Sequence, residues 1–242
     1  MLKLFILFIY CGTLLFANEA EDIMKKIDNN MRGENVYLDL TMSIKNRGYT
    51  RTIKLKTWSE GSKKSFVKIT YPPRDEGITF LSLDGQMWQY IPKIERVIKI
   101  PPSMMLQNWM GSDITNDDMV KQSSLVDDYT PKILKKEKNL ITMQLTPKED
   151  AAVVWGKIIS LIDTTTYTSK KDTYYDEDGK VVRYFIYKNV KKIDGYYLPM
   201  YWEVLPADKK DSNTKIIINA VKYNQKISKN YFTKSALKRF SR

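Results

Sequence analysis

Apolar and polar side chains alternate strictly along much of the chain. Val36, Leu38, Leu40, Met42 and Ile44 interleave with Tyr37, Asp39, Thr41, Ser43 and Lys45, the pattern of a strand with one buried and one wet face. Asn46-Arg47-Gly48 turns the chain, and Tyr49–Trp58 returns with Ile53 and Leu55 on the apolar side and Lys54 and Lys56 opposite. Further strands are predicted over Ser65–Tyr71, Ile78–Leu83, Gln86–Ile91 and Glu95–Ile100, with Asp84-Gly85 as a two-residue hairpin turn. Pro131–Lys136, Leu140–Thr146, Gly156–Asp163, Tyr167–Tyr175, Lys180–Lys188, Val190–Ile193, Tyr196–Val204 and Lys215–Val221 continue the meander. A helical period places Ala20, Ile23, Met24, Ile27 and Met31 on one face, closed by Gly33. Thr115 is positioned to cap a second helix, and a short tail helix surrounds Ser235–Arg239.

One stretch breaks the pattern. Between Ser103 and Gly111 the spacing predicts a short helix, Met104, Met105, Leu106, Gln107, Asn108, Trp109, Met110, apolar nearly all round and rich in methionine. It is either a plug in an ordinary core or a movable lid over an apolar cavity. The elements together predict a mainly β fold with a few helices. A single curved antiparallel sheet of roughly ten or eleven strands forms an unclosed barrel, its apolar concave face covered by helices. Lys54, Lys56, Lys180, Arg183 and Lys188 recur on the faces away from the core, which argues against an outer-membrane barrel with its outward apolar band.

The ends and the charge then narrow the function. Met1-Leu2-Lys3, the apolar run Leu4–Phe16 and Ala17 form a secretory leader, so residues 1–17 are expected to be cleaved, leaving 18–242 as one exported domain. The single cysteine, Cys11, leaves with the leader, and there is no histidine at all. That excludes thiol nucleophiles, Ser-His-Asp sites and His-ligated zinc, so no enzyme is expected. Gly111-Ser112-Asp113 lacks the nucleophile-elbow pattern. Asp113, Asp117 and Asp118 read as helix-capping acids rather than a metal cluster, and Asp176–Gly179 reads as a hairpin turn; no cofactor is expected. The net charge of +12 falls to +11 when Lys3 is removed. In an exported protein that suits an anionic lipid surface or an acidic partner rather than nucleic acid, with a solubilising lysine coat as the plain alternative.

Asp84-Gly85-x-Met87-Trp88-x-Tyr90-x-Pro92, preceded by Pro73-x-Asp75-Glu76, resembles the LolA-like periplasmic lipoprotein carrier superfamily. Tyr49-x-Arg51-Thr52 and Met110-Gly111-Ser112-Asp113-Ile114-Thr115-Asn116-Asp117-Asp118 are similar to its "outer membrane lipoprotein-sorting protein" branch, as are Tyr175-x-x-x-Gly179 and Tyr231-Phe232-Thr233. The resemblance implies an unclosed barrel lidded by helices. It also implies a periplasmic, monomeric carrier of lipoprotein acyl chains or related lipids, served by an inner-membrane exporter and an outer-membrane acceptor. A lipid-sensing adaptor of the same fold, working with a membrane partner, is the alternative. Expected cavity residues are Leu38, Leu40, Ile53, Leu55 and Phe80 on the sheet, Trp88 and Tyr90 beneath the lid, and Met104, Met105, Leu106, Trp109 and Met110 in it. Where the family has a lid-latching arginine, the comparable segment here offers Lys63 and Lys64.

Overall fold

The computed structural model describes residues 19–121, 125–151 and 153–242; the leader expected at 1–17 lies outside them. The chain opens with α1 (residues 19–32), whose Ala20, Ile23 and Met24 are buried while 21, 22, 25 and 26 face solvent. Gly33 ends it at φ +54, its N–H bonded to the Asn29 carbonyl at 2.8 Å. A Cβ there would meet Asn224 Oδ1 at 2.7 Å, so both the left-handed turn and the close approach require glycine.

Six strands follow: β1 (Asn35–Asn46), β2 (Tyr49–Glu60), β3 (Lys64–Tyr71), β4 (Thr79–Leu83), β5 (Gln86–Ile91) and β6 (Arg96–Ile100). After α2 (Asn116–Lys121) and α3 (Leu125–Asp128) come β7 (Tyr129–Glu137), β8 (Leu140–Pro147), β9 (Lys157–Asp163), β10 (Thr168–Tyr175), β11 (Val181–Ile193), β12 (Tyr196–Pro206) and β13 (Asn213–Tyr223), and then α4 (Lys234–Arg239). All thirteen join one unclosed antiparallel sheet, more than the ten or eleven expected. Lys180–Lys188 and Val190–Ile193, predicted apart, are one strand that continues through a left-handed Asn189 at φ +58.

The order is β6-β5-β4-β3-β2-β1-β13-β12-β11-β10-β9-β8-β7. The first and last strands therefore pair in the middle, and the two edges belong to β6 and β7, which are consecutive in the chain. The connection between them must travel from one edge of the sheet to the other. Its described parts are residues 101–121 and α3; the first is a strap packed on the inner face, with Trp109, Ile114 and Val120 in the main core beside α1.

The strap corrects one expectation. Ser103–Gly111 is not a helix but two 3-10 turns, Pro102–Met104 and Trp109–Gly111, separated by an extended Asn108. The carbonyls a helix would use internally are taken from outside. Met105 O accepts from Asp117 N at 2.9 Å and Gln107 O from Asn116 N at 3.0 Å, while Trp109 N donates to Ile114 O at 2.7 Å. Met104–Met110, seven residues, are too few to nucleate a helix against that competition. The cap at Thr115 is as expected: its Oγ1 accepts from Asp118 N at 3.1 Å, and Asp118 Oδ2 accepts from Thr115 N at 2.7 Å.

Candidate functional site

The inner faces of β1 to β4 are in register, so their side chains stand in rows across the sheet. Nearest the Gly61-Ser62 turn the row is Val36, Ser59, Ser65 and Ser82. The next is Leu38, Thr57, Val67 and Phe80, then Leu40, Leu55 and Ile69, and then Met42 with Ile53. Polarity thus falls from the turn end inward. A cavity of about 190 Å³ lies over these rows, roofed by Met24, Ile27 and Met31 of α1 and by Trp109, Ile114, Met119 and Val120 of the strap and α2. Its rim at the turn end carries Asp28, Arg32, Lys63 and Lys64.

Arg32 is placed there by the last turn of α1 and pairs with Asp28 one turn earlier. Burial pushes its guanidinium pKa down to about 10, with Asp127 pulling the other way. A partly dry cation thus sits at the polar end of an otherwise apolar chamber.

Both covers are tied down from the sheet. Asn30 Nδ2 donates to Thr166 O at 2.9 Å, and Asn30 Oδ1 accepts from Tyr197 N at 3.0 Å, fixing α1 across the C-terminal half. Arg51 on β2 donates to the strap carbonyl of Met110 at 3.0 Å and pairs with Asp75 at 2.6 Å. Arg183 on β11 pairs with Asp118 and donates to Asp113 O at 3.2 Å. The Asp113 carboxylate accepts from Thr214 Oγ1 at 2.7 Å and Ser212 Oγ at 3.0 Å. The strap acids therefore hold the cover in place. Ser112 Oγ, buried, donates to Trp109 O at 2.8 Å.

The expected cavity residues divide. Leu38, Leu40, Leu55 and Trp109 line the cavity; Ile53 and Phe80 are buried in the same core without lining it. Met105 and Met110 pack against that core, whereas Met104 and Leu106 are exposed on the outside of the strap. Trp88 and Tyr90 are not beneath the cover. They lie on the opposite face, in a second cluster with Phe66, Leu81, Phe232 and Leu237 under α4. On β5 it is Met87 that faces the main core, and alternation sends Trp88 and Tyr90 outward. Arg183, expected away from the core, is 3% exposed on the core face, in step with Phe185. The side-chain hydrogen bonds holding the strap come from Arg51, Arg183, Thr214 and Ser212, while Lys64 pairs with Glu60 on its own hairpin at 2.6 Å. Arg32 and the serine row were not anticipated: the three serines lie on three different strands and meet only through the register.

A second cavity, about 60 Å³, lies beneath the other side of α1 and is lined by Asn30, Ser160, Asp172, Tyr174 and Tyr187 among others. Asp172 is buried and its Oδ1 lacks a hydrogen-bond partner within the described residues. Burial raises its pKa, opposed in part by the hydroxyls of Ser160, Tyr187 and Ser169. An ordinary aspartate titrates near 3.8. The folded chain holds this proton where the unfolded chain has lost it, so stability is full below that value and falls as pH rises through the folded pKa. Asp172→Asn should therefore add about 1–3 kcal/mol at pH 7 and little at pH 4. Thermal melts at the two pH values check this, and equal melting shifts at both would contradict it.

Residues 61–239 match a family model described as "Uncharacterized protein". A search of the curated proteins finds no match. Among solved structures, a DUF1329 family protein from Desulfovibrio piger superposes with TM-score 0.84 at 23% identity, covering 92% of this chain and 99% of its own. An outer membrane lipoprotein-sorting protein domain from Vibrio parahaemolyticus gives 0.80 at 19% identity, covering 92% and 100%. A LolA superfamily protein from Nitrosomonas europaea gives 0.76 at 18% identity, covering 90% and 98%.

Proposed function

The chain belongs to the family described as "Uncharacterized protein", its sheet has the LolA-like fold, and from that footing we propose that it is an exported, non-enzymatic carrier of acyl chains. The cargo is the acyl portion of lipoproteins or related lipids, moved through the periplasm from an inner-membrane donor toward an outer-membrane acceptor. The observation that supports this best is the apolar chamber between the sheet, α1 and the strap.

Magnitudes set how it would work. The chamber is smaller than the roughly 300–1,000 Å³ of typical ligand sites, so uptake of a whole chain requires α1 or the strap to give way. Each methylene transferred from water contributes about 0.8 kcal/mol, enough for a single long chain to compete with the strap's own apolar contacts. The few polar ties at Arg51 and Arg183 then set the closed state against the loaded one. Unloading is the reverse: the strap's Trp109 and Ile114 and the helix's Met31 refill the space once an acceptor competes for the cargo.

The test is native mass spectrometry of protein recovered from the periplasm without detergent, with extraction of bound lipid, alongside titration with an apolar fluorescent dye. Lipid or acylated peptide should co-purify, and Leu38→Trp, which fills the chamber from a half-buried position, should cut dye affinity about tenfold or more with the melting transition retained. A protein that carries no lipid and takes up neither lipid nor dye is not a carrier.

A further inference from the structure

The chamber is graded, and the grading specifies a cargo. Ser59, Ser65 and Ser82 stand side by side at the turn end, whereas the rows beyond Thr57 are wholly apolar. From Val36 to Met42 along β1, both in the chamber lining, is about 20 Å at strand rise. The acyl layer of one bilayer leaflet is about 15 Å deep, so the chamber floor is long enough for a full chain with its head left at the turn.

Cations outnumber acids among the lining groups at that end. Two buried polar atoms on the chamber wall, Ser82 Oγ and Trp109 Nε1, have no hydrogen-bond partner among the described residues. An indole N–H can only donate, and a serine hydroxyl donates freely. The rim adds the cations Arg32, Lys63 and Lys64 against the single lining acid Asp28. Arg32 is paired with Asp28 and Lys64 with Glu60, while Lys63 forms no ion pair within the described residues. Arg32 is already partly desolvated beside Asp28 and Asp127, so an added anion next to it would meet a cation that water serves poorly.

Resting on the carrier role proposed above, we infer that the cargo is an anionic amphiphile whose carboxylate or phosphate head sits among Arg32, Lys63 and Lys64, with its chain running inward over Leu38, Leu40 and Leu55. Charge-assisted hydrogen bonds from a guanidinium and ammonium groups favour such a head over a neutral ester or alcohol of the same chain length. The overall excess of Lys and Arg favours approach of the same ligands from an anionic membrane surface.

The experiment compares palmitate, palmityl alcohol and lysophosphatidylglycerol as competitors of a neutral apolar dye, on wild type and on Lys63→Gln/Lys64→Gln. Palmitate or the phospholipid should bind about tenfold more tightly than the alcohol at low salt. That gap should shrink at high salt and in the double variant, with the alcohol unaffected. The tighter of the two anions identifies the head as carboxylate or phosphate. Equal affinity for acid and alcohol overturns the anionic cargo but leaves the chamber as an acyl site. A gap that survives both in the double variant and in Arg32→Gln overturns the head-group position. If no ligand displaces the dye and the dye itself does not bind, it is the carrier role that fails.

Discussion

Arg183→Met is expected to lower the unfolding free energy by about 3–5 kcal/mol, read from urea or thermal denaturation. Arg183 is 3% exposed. Its guanidinium pairs with Asp118, donates to Asp113 O, and sits 4.3 Å from the centroid of Trp155 and 4.8 Å from that of Tyr174. Methionine can replace the packing among the rings but not the charge. It strands the Asp118 carboxylate in a dry pocket, where among the described residues only Thr115 N and Oγ1 still bond to it. The large cost comes from that unpaired charge, since an intact buried pair contributes little net stability. Arg183→Met with Asp118→Asn should therefore recover much of the loss, because the amide needs no counterion and its oxygen can keep the Thr115 bonds. A single variant within 1 kcal/mol of wild type would mean that the pair does not hold the strap.

The contrast between Arg183 and its neighbours shows what a sequence of this kind discloses. Alternation placed Val36 to Ile44 on the correct face, and Asp84-Gly85, both at positive φ, makes the two-residue turn expected between β4 and β5. Local periodicity and turn chemistry suffice for such elements. Alternation assigns residues to two faces without naming which is inner, and that is where it misled. On β5 both faces are apolar because α4 builds a second core outside the sheet, so nothing in the alternation contradicts the resemblance that puts Trp88 and Tyr90 beneath the lid. On β11 the inner face carries a charge, so Arg183 was assigned outward. The pairing of β1 with β13 joins segments far apart in sequence and leaves no local trace. Yet that pairing puts β6 and β7 at opposite edges and turns residues 101–121 into a strap. The Met-rich stretch was recognisable as a cover but not as irregular backbone, because its carbonyl partners at Asn116 and Asp117 belong to the following element. Arg32 and the serine row were visible as residues, but they became a site only once the register set them side by side.

Trp109→Ala should be as costly as the loss of Arg183 in the empty protein, about 3–5 kcal/mol, but it should behave differently when ligand is added. Trp109 is 1% exposed, packs 5.2 Å from Phe80 between ring centroids, and forms part of the chamber roof. Its N–H has no hydrogen-bond partner within the described residues, so deletion returns about 1 kcal/mol of desolvation while forfeiting the burial of a large ring. The strap is held independently of the indole, since Arg51 donates to Met110 O, Arg183 to Asp113 O and Thr214 Oγ1 to the Asp113 carboxylate, so it should stay seated. What changes is the chamber: the space vacated by the indole joins a cavity that already exists, where a ligand can enter as an isolated core hole would not allow. If the strap competes with cargo for that space, palmityl alcohol should bind Trp109→Ala more tightly than wild type, and saturating alcohol should restore most of the lost melting temperature. If instead the indole is a wall against which the chain rests, affinity should fall along with stability. Melting curves of the two proteins with and without the alcohol separate these outcomes, and the first is the one that a carrier emptied by its own cover demands.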